Sequence, residues 1–246
     1  CLVAALITPH IPWTVGDPSR FNPDELKLPP NLADTKDTRR EFAKYLAEIE
    51  VLDKRVGKTL EMLQETGERK NTIVIFTSEQ GSQFPGCKWT NWDAGVHTGF
   101  VVRWPGKVKA GVRTNALIQY ADVLPTLLDA AGADLQNENF SFSGSSFLDV
   151  LLGKSDHHRD YAYSMHNNVP EGPPYPIRSV TDGEYHYIRN LAPDRLYMEK
   201  HLMGRMPLNK YWPSWQFDAA RDEHTYMLVE RYMHRPKEQL DRKSVV

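Results

Sequence analysis

The chain has 246 residues, 40% apolar and 25% charged, enough apolar material to build a packed core in one or two domains. Thirty basic against 32 acidic side chains leave a net charge of −2, which argues against a nucleic-acid binder and against a polybasic membrane-surface protein. The longest apolar run, Cys1 to Ile7, is far short of the ~20 residues a spanning helix needs, and two cysteines are too few for a disulfide framework.

Residue 1 is Cys, and Leu2-Val3-Ala4-Ala5-Leu6-Ile7 reads as a buried strand already under way. No basic region precedes it as in a signal peptide, and the chain is expected to be an internal or C-terminal piece of something larger. Thr8-Pro9-His10-Ile11-Pro12 follows as a loop that its two prolines hold extended. Residues 14–34, rich in Pro, Asp and Asn, read as a long surface loop. A helix is expected from about Asp37 to Glu65, where Phe42, Tyr45, Leu46, Ile49, Leu52, Val56, Leu60 and Leu63 form one apolar face, with Gly67 as its C-cap. Thr72 to Thr77 is a β-branched run of the kind found in a strand covered on both faces. Strand, long helix and strand make a βαβ unit, so the expected class is α/β, a mostly parallel sheet flanked by helices.

Gly99 to Trp104 reads as a further strand, Ala121 to Ala131 as a helix stopped at Gly132, and Phe147 to Leu152 as a short helix. From residue 155 the character changes. Prolines cluster in 170–176, and Ile177–Thr181 and Tyr185–Arg189 look like strands. Residues 1–154 are therefore expected to belong to the α/β domain and 155–246 to a smaller α+β subdomain, both incomplete. Arg242 to Val246 looks like an unstructured tail.

In open α/β sheets the site lies beyond the carboxyl ends of the strands. Ser78-Glu79-Gln80-Gly81 stands there, directly after the strand at 72–77. Carboxylate and amide oxygens suit a hard cation such as Ca²⁺, whereas Gln is a poor zinc ligand. Taken alone, the pair reads more readily as a polar turn capped by Gly81. Lys88, beside Trp89 and Trp92, is either a point charge for an oxyanion or a lysine whose stem covers apolar surface. His10 is either a proton donor or anion contact, or a solvated loop histidine. His166, before the proline cluster, and Arg178, after it, are weaker candidates with a polar turn and a surface salt bridge as the plain alternatives. Trp212 and Trp215 suit either sugar stacking or core packing.

Together these residues resemble the type I sulfatases of the alkaline-phosphatase-like superfamily, over roughly residues 1–190. Thr72 to Gly81 is similar to that family's strand ending in Thr-Ser-Asp-Asn/His-Gly. Lys88-Trp89-Thr90, Gly95 and Trp104-Pro105-Gly106 resemble its Lys-x-Thr…Gly…Trp-Pro-Gly stretch. Pro9-His10-Ile11-Pro12 resembles its Pro-His-x-Pro loop, and Asp122 to Leu128 its Asp-x-x-Pro-Thr-Leu-Leu helix. Phe84-Pro85 and Tyr175 to Val180 look most like the N-sulfoglucosamine sulfohydrolase branch.

The resemblance implies sulfate release from sulfated glycans by a calcium ion and a formylglycine nucleophile. It implies Glu79 and Gln80 as metal ligands. Lys88 and His10 would be sulfate contacts and catalytic residues, and His166 and Arg178 substrate contacts. It also implies a periplasmic or secreted protein. Three departures stand beside it. No Cys/Ser-x-Pro-x-Arg motif exists in the chain, the family's early Asp-Asp metal pair is missing, and Glu79-Gln80 replaces Asp-Asn or Asp-His. Each replacement side chain is one methylene longer, which sets the backbone roughly 1–1.5 Å further from a metal. By itself the chain is expected to be inert. Two other readings keep the fold: a phosphodiesterase or phosphonate hydrolase, against which Gln80 argues, and a non-catalytic sulfated-glycan-binding protein, which the Glu79-Gln80 exchange motivates.

Overall fold

A computed structural model describes residues 1–136, 141–203 and 210–242. Its elements in chain order are α1 (Lys36–Glu65), β1 (Val74–Thr77), α2 (Asp93–Val96), β2 (Phe100–Arg103), α3 (Val123–Ala130), α4 (Leu148–Leu151), β3 (Ala162–His166), β4 (Ile177–Thr181), β5 (Tyr185–Asn190), α5 (Lys200–Met203), α6 (Tyr211–Asp218), α7 (Glu223–Met233) and β6 (Glu238–Arg242). The last residues of the expected tail, 243–246, lie outside the described residues.

Helix α1 begins where its capping chemistry says it should. The Thr35 hydroxyl accepts the Thr38 N–H at 3.1 Å, filling one of the donors a helix start leaves open. It ends before Gly67, whose φ of 77° is the left-handed conformation a glycine adopts at no steric cost. Strands β4 and β5 also fall where the sequence looks strand-like, β5 running one residue further to Asn190.

The first strand does not form. Residues 1–7 are exposed and carry no regular structure. An apolar run becomes a strand only when a neighbour accepts its backbone hydrogen bonds, and no described strand does so. The βαβ expectation is corrected with it: β1 pairs antiparallel with β2, Val74 opposite Arg103 and Thr77 opposite Phe100. Residues 162–242 hold a four-stranded antiparallel sheet in the order β3-β4-β5-β6. Every strand pair among the described residues is thus antiparallel, and the parallel sheet is not represented in them.

One aromatic core joins early and late parts of the chain. Trp13, Phe84 and Cys87 pack in the same cluster as Tyr175, Tyr197, Tyr211, Trp212, Trp215 and Tyr232. Helix α6 ties this core together. The Trp215 indole N–H donates to the Thr38 hydroxyl of α1 at 2.8 Å, and the Tyr211 hydroxyl to the Gln83 carbonyl at 2.9 Å. Trp212 and Trp215 are 2% and 1% exposed, which settles them as core residues and removes them as sugar-stacking surfaces.

Candidate functional site

The backbone around Glu79 and Lys88 is built on two glycines. The Gly81 N–H donates to the Gly95 carbonyl at 3.0 Å. A Cβ on Gly81 would lie 1.8 Å from the Ala94 carbonyl oxygen, and one on Gly95 would lie 2.4 Å from that of Cys87. Only glycine admits this approach, so the segment leaving β1 is locked against the turn that follows Lys88. Thr90, buried, closes that turn by donating its hydroxyl to the Cys87 carbonyl at 2.7 Å, and the Lys88 N–H donates to the Ser82 carbonyl at 2.9 Å.

Trp89 sits at φ 62°, unusual for a bulky residue. The Tyr197 hydroxyl holds it there by donating to the Trp89 carbonyl at 2.7 Å. The Lys88 ammonium lies 5.0 Å from the centre of the Trp89 ring. Among the described residues no carboxylate pairs with it, so its charge is uncompensated by a direct partner. On the same indole stacks His201, with ring centres 5.4 Å apart and planes 15° apart. Burial, then Lys200, lowers the His201 pKa, with smaller contributions from Lys88 and His10, while Glu171 opposes. Lys88, His10 and His201 therefore sit in one electrostatic neighbourhood.

His10 is exposed, and its Nδ1 lies 2.6 Å from the Ile11 carbonyl oxygen. Glu79 is exposed and Gln80 half-buried, with neither side chain hydrogen-bonded among the described residues. His166 and Arg178 share one end of the β3–β4 pair, with His166 opposite Ile177. Arg178 donates to the Asn167 amide oxygen at 2.9 Å. The His166 Nε2 is buried without a hydrogen-bond partner, and burial lowers the pKa of the ring. A surface cavity of about 370 Å³, lined by Trp92, Asp93, His186 and Arg231, contains none of the expected site residues.

Sequence reasoning missed His201. It lies in Met198-Glu-Lys-His-Leu, a stretch without motif or period, and only the chain's return to Trp89 gives it meaning. Glu199 was missed for the same reason. Its carboxyl oxygens accept the N–H groups of His201 at 2.8 Å and Leu202 at 2.7 Å. Burial pushes this carboxyl from its ordinary 4.5 up to about 7, and those two hydrogen bonds only partly counter it. The folded state thus holds the Glu199 proton more tightly than the unfolded chain, so its contribution to stability is full below about 4.5 and is lost as pH rises toward about 7. Glu199→Gln is expected to flatten that slope. Thermal melts at about pH 5 and about pH 7.5 check it, and equal drops in both proteins would refute it.

The donor chemistry here fits part of a hard-cation shell. Glu79 and Gln80 offer oxygen donors, but Ca²⁺ takes 6–8 of them, and no group of three or more His, Cys, Asp or Glu among the described residues could hold a metal.

The family model described as Sulfatase matches residues 1–133, more than half of the chain and all of His10, Glu79, Gln80 and Lys88. The chain belongs to the sulfatase family. A second family model, N-sulphoglucosamine sulphohydrolase, C-terminal, matches residues 88–198. An ulvan-active sulfatase of Formosa agariphila is 31% identical over 184 residues, which cover 72% of this sulfatase chain and 35% of that protein. A protein solved in complex with its substrate D-glucosamine-2-N,6-O-disulfate matches with a TM-score of 0.55 at 22% identity, covering 80% of this chain and 42% of that one. A structure from glycosaminoglycan metabolism by Bacteroides thetaiotaomicron matches with a TM-score of 0.64 at 20% identity, covering 92% and 54%. At these identities the likeness shows the fold, which is that of the alkaline-phosphatase-like sulfatases. The chain spans about a third of the ulvan-active sulfatase and about half of the solved ones.

Proposed function

We propose that these 246 residues form the sulfate-binding and part of the metal-binding side of a sulfatase that releases sulfate from sulfated glycans. The observation that carries this reading is Lys88, an ammonium with no carboxylate partner among the described residues, held over the Trp89 ring within the stretch that a family model for sulfatases matches. A half-buried ammonium without a carboxylate partner leaves its charge available to an anion that arrives from outside.

Lys88 binds a sulfuryl oxygen and offsets the negative charge there. His10 holds a proton toward the leaving oxygen or nitrogen. His166 and Arg178 face the remainder of the substrate. Glu79 and Gln80 hold part of the calcium shell with their oxygens, and the other donors and the formylglycine come from outside these residues. Bound calcium supplies Lewis-acid polarisation of the sulfate. A sulfated sugar is the substrate class, in line with the ulvan-active relative and the N-sulphoglucosamine sulphohydrolase match. The expected site of action is the periplasm or the cell exterior.

The test is sulfate release by the full-length protein before and after chelation. Activity is expected to disappear with a strong calcium chelator and to return with added Ca²⁺. Glu79→Ala is expected to raise the Ca²⁺ concentration needed for half-maximal activity about tenfold or more. Turnover of phosphate esters without sulfate release would replace this reading with the phosphodiesterase one. Tight glycan binding without any release would replace it with the non-catalytic one.

A further inference from the structure

His201 has no assigned part in any reaction, and it lies outside both family-model matches. Its placement is nevertheless specific. Its ring shares the Trp89 indole with Lys88: the imidazole is stacked at 5.4 Å between centres, and the ammonium lies 5.0 Å from the same ring. One rigid indole therefore sets the position of both groups. That indole is fixed in turn by the Tyr197 hydroxyl on the Trp89 carbonyl.

The backbone beneath His201 is equally held. Glu199 accepts the N–H groups of residues 201 and 202, the Lys200 N–H donates to the Glu171 carbonyl at 2.9 Å, and the Lys200 ammonium donates to the Pro170 carbonyl at 2.8 Å. The 168–173 loop cannot drift from this segment. Asn168 donates to the Met198 carbonyl at 2.7 Å, and a Cβ on Gly172 would lie 2.0 Å from that same oxygen. Against this rigid support, the ring nitrogens of His201 make no hydrogen bond among the described residues. The ring is half-buried and its pKa is lowered by burial and by the cations around it, so it is neutral near pH 7. A neutral imidazole offers one N–H donor and one lone pair, which suits a hydroxyl rather than a sulfate.

We propose that His201 is a specificity-determining residue of the sulfate site, whose imidazole hydrogen-bonds a hydroxyl of the sugar unit that carries the sulfate. This rests on the reading of Lys88 and His10 as sulfate contacts. The labour divides by chemistry: the ammonium meets the anion, and the imidazole beside it meets the neutral sugar. A site built to hydrogen-bond a hydroxyl discriminates strongly against molecules that lack it.

The experiment compares wild type, His201→Ala and His201→Phe in the full-length protein, on a sulfated saccharide and on 4-nitrophenyl sulfate, which has no hydroxyl to offer. D-glucosamine-2-N,6-O-disulfate and ulvan oligosaccharides are the saccharide probes. His201→Phe keeps a flat ring on Trp89 and removes both nitrogens. Both variants are expected to raise the saccharide KM about tenfold, at least about fivefold more than any loss on the aryl sulfate. Equal losses on the two substrates, or a wild-type saccharide KM in His201→Phe, overturn the proposal. If the wild type releases no sulfate from either class, the sulfatase reading falls, and calorimetric binding of the saccharides judges His201 alone. There, about tenfold weaker binding by His201→Phe upholds the proposal, and unchanged or absent binding overturns it.

Discussion

Replacing Lys88 by Ala in the full-length protein is expected to lower kcat/KM for sulfate release by about 10²–10³-fold, the loss seen when one preorganised donor to a developing oxyanion is removed. Cleavage of a sulfate ester or sulfamate moves negative charge onto the leaving atom and the sulfuryl oxygens, and a fixed cation stabilises that charge without reorganising. Lys88 would suit that requirement: its backbone is fixed twice, by its own N–H on Ser82 and by the Thr90 closure of the turn, and among the described residues its ammonium lies over the Trp89 face with no carboxylate partner. The fold should be indifferent to the change, since the side chain is only half-buried and has no ion pair among the described residues. Thermal melts of the variant should match wild type within about 0.5 kcal/mol of stability. Lys88→Arg keeps the charge but not the shape, and is expected to recover only part of the rate. Measured sulfate release within about twofold of wild type in Lys88→Ala would take Lys88 out of the site.

The second large effect is on stability. Trp212→Ala is expected to cost about 3–5 kcal/mol, as for other large aromatic truncations in a core. The ring is 2% exposed and packs against Trp215 at 6.1 Å and Tyr232 at 5.4 Å between centres. Its neighbours on α6 reach α1 through Trp215 and the Gln83 carbonyl through Tyr211, only a few residues before Lys88. Loosening α6 should therefore weaken catalysis as well as folding. A chain of this size loses roughly 2–4 °C of melting temperature per kcal/mol, so a fall of roughly 10 °C is expected by calorimetry. A fall of only a degree or two would mean that the surrounding rings close over the gap, and that this aromatic cluster is not the core it is described as.

Much was legible from residues alone where the cause is local. Helix α1 could be placed because its apolar period and its Gly67 stop are each written in the local sequence. Strands β4 and β5 were legible as strand-like pieces after the proline cluster, and they form at those places. The Lys-x-Thr…Gly stretch could be read too, and its geometry now has a cause: Thr90 closes the turn, and Gly95 is the only residue its backbone contacts admit. Glu79 and Gln80 do follow a strand, though a strand paired antiparallel.

What the sequence could not decide was whatever depends on which distant segment comes alongside. Leu2 to Ile7 has the composition of a strand and remains exposed, because a strand is made by its partner's hydrogen bonds and not by its own side chains. Trp212 and Trp215 suited sugar and core alike until α6 buried them. His201 gains its meaning by meeting Trp89 from more than a hundred residues away, and the Glu199 carboxyl is pushed up to about 7 because the fold withdraws water from it. By itself, then, the sequence pointed to the family, the long helix and the late strands. Tertiary structure alone decided strand pairing, burial and the company each of those residues keeps. Backbone propensity and caps act over a turn or two of chain, whereas hydrogen-bond partners and desolvation are set by contacts that only the folded chain creates.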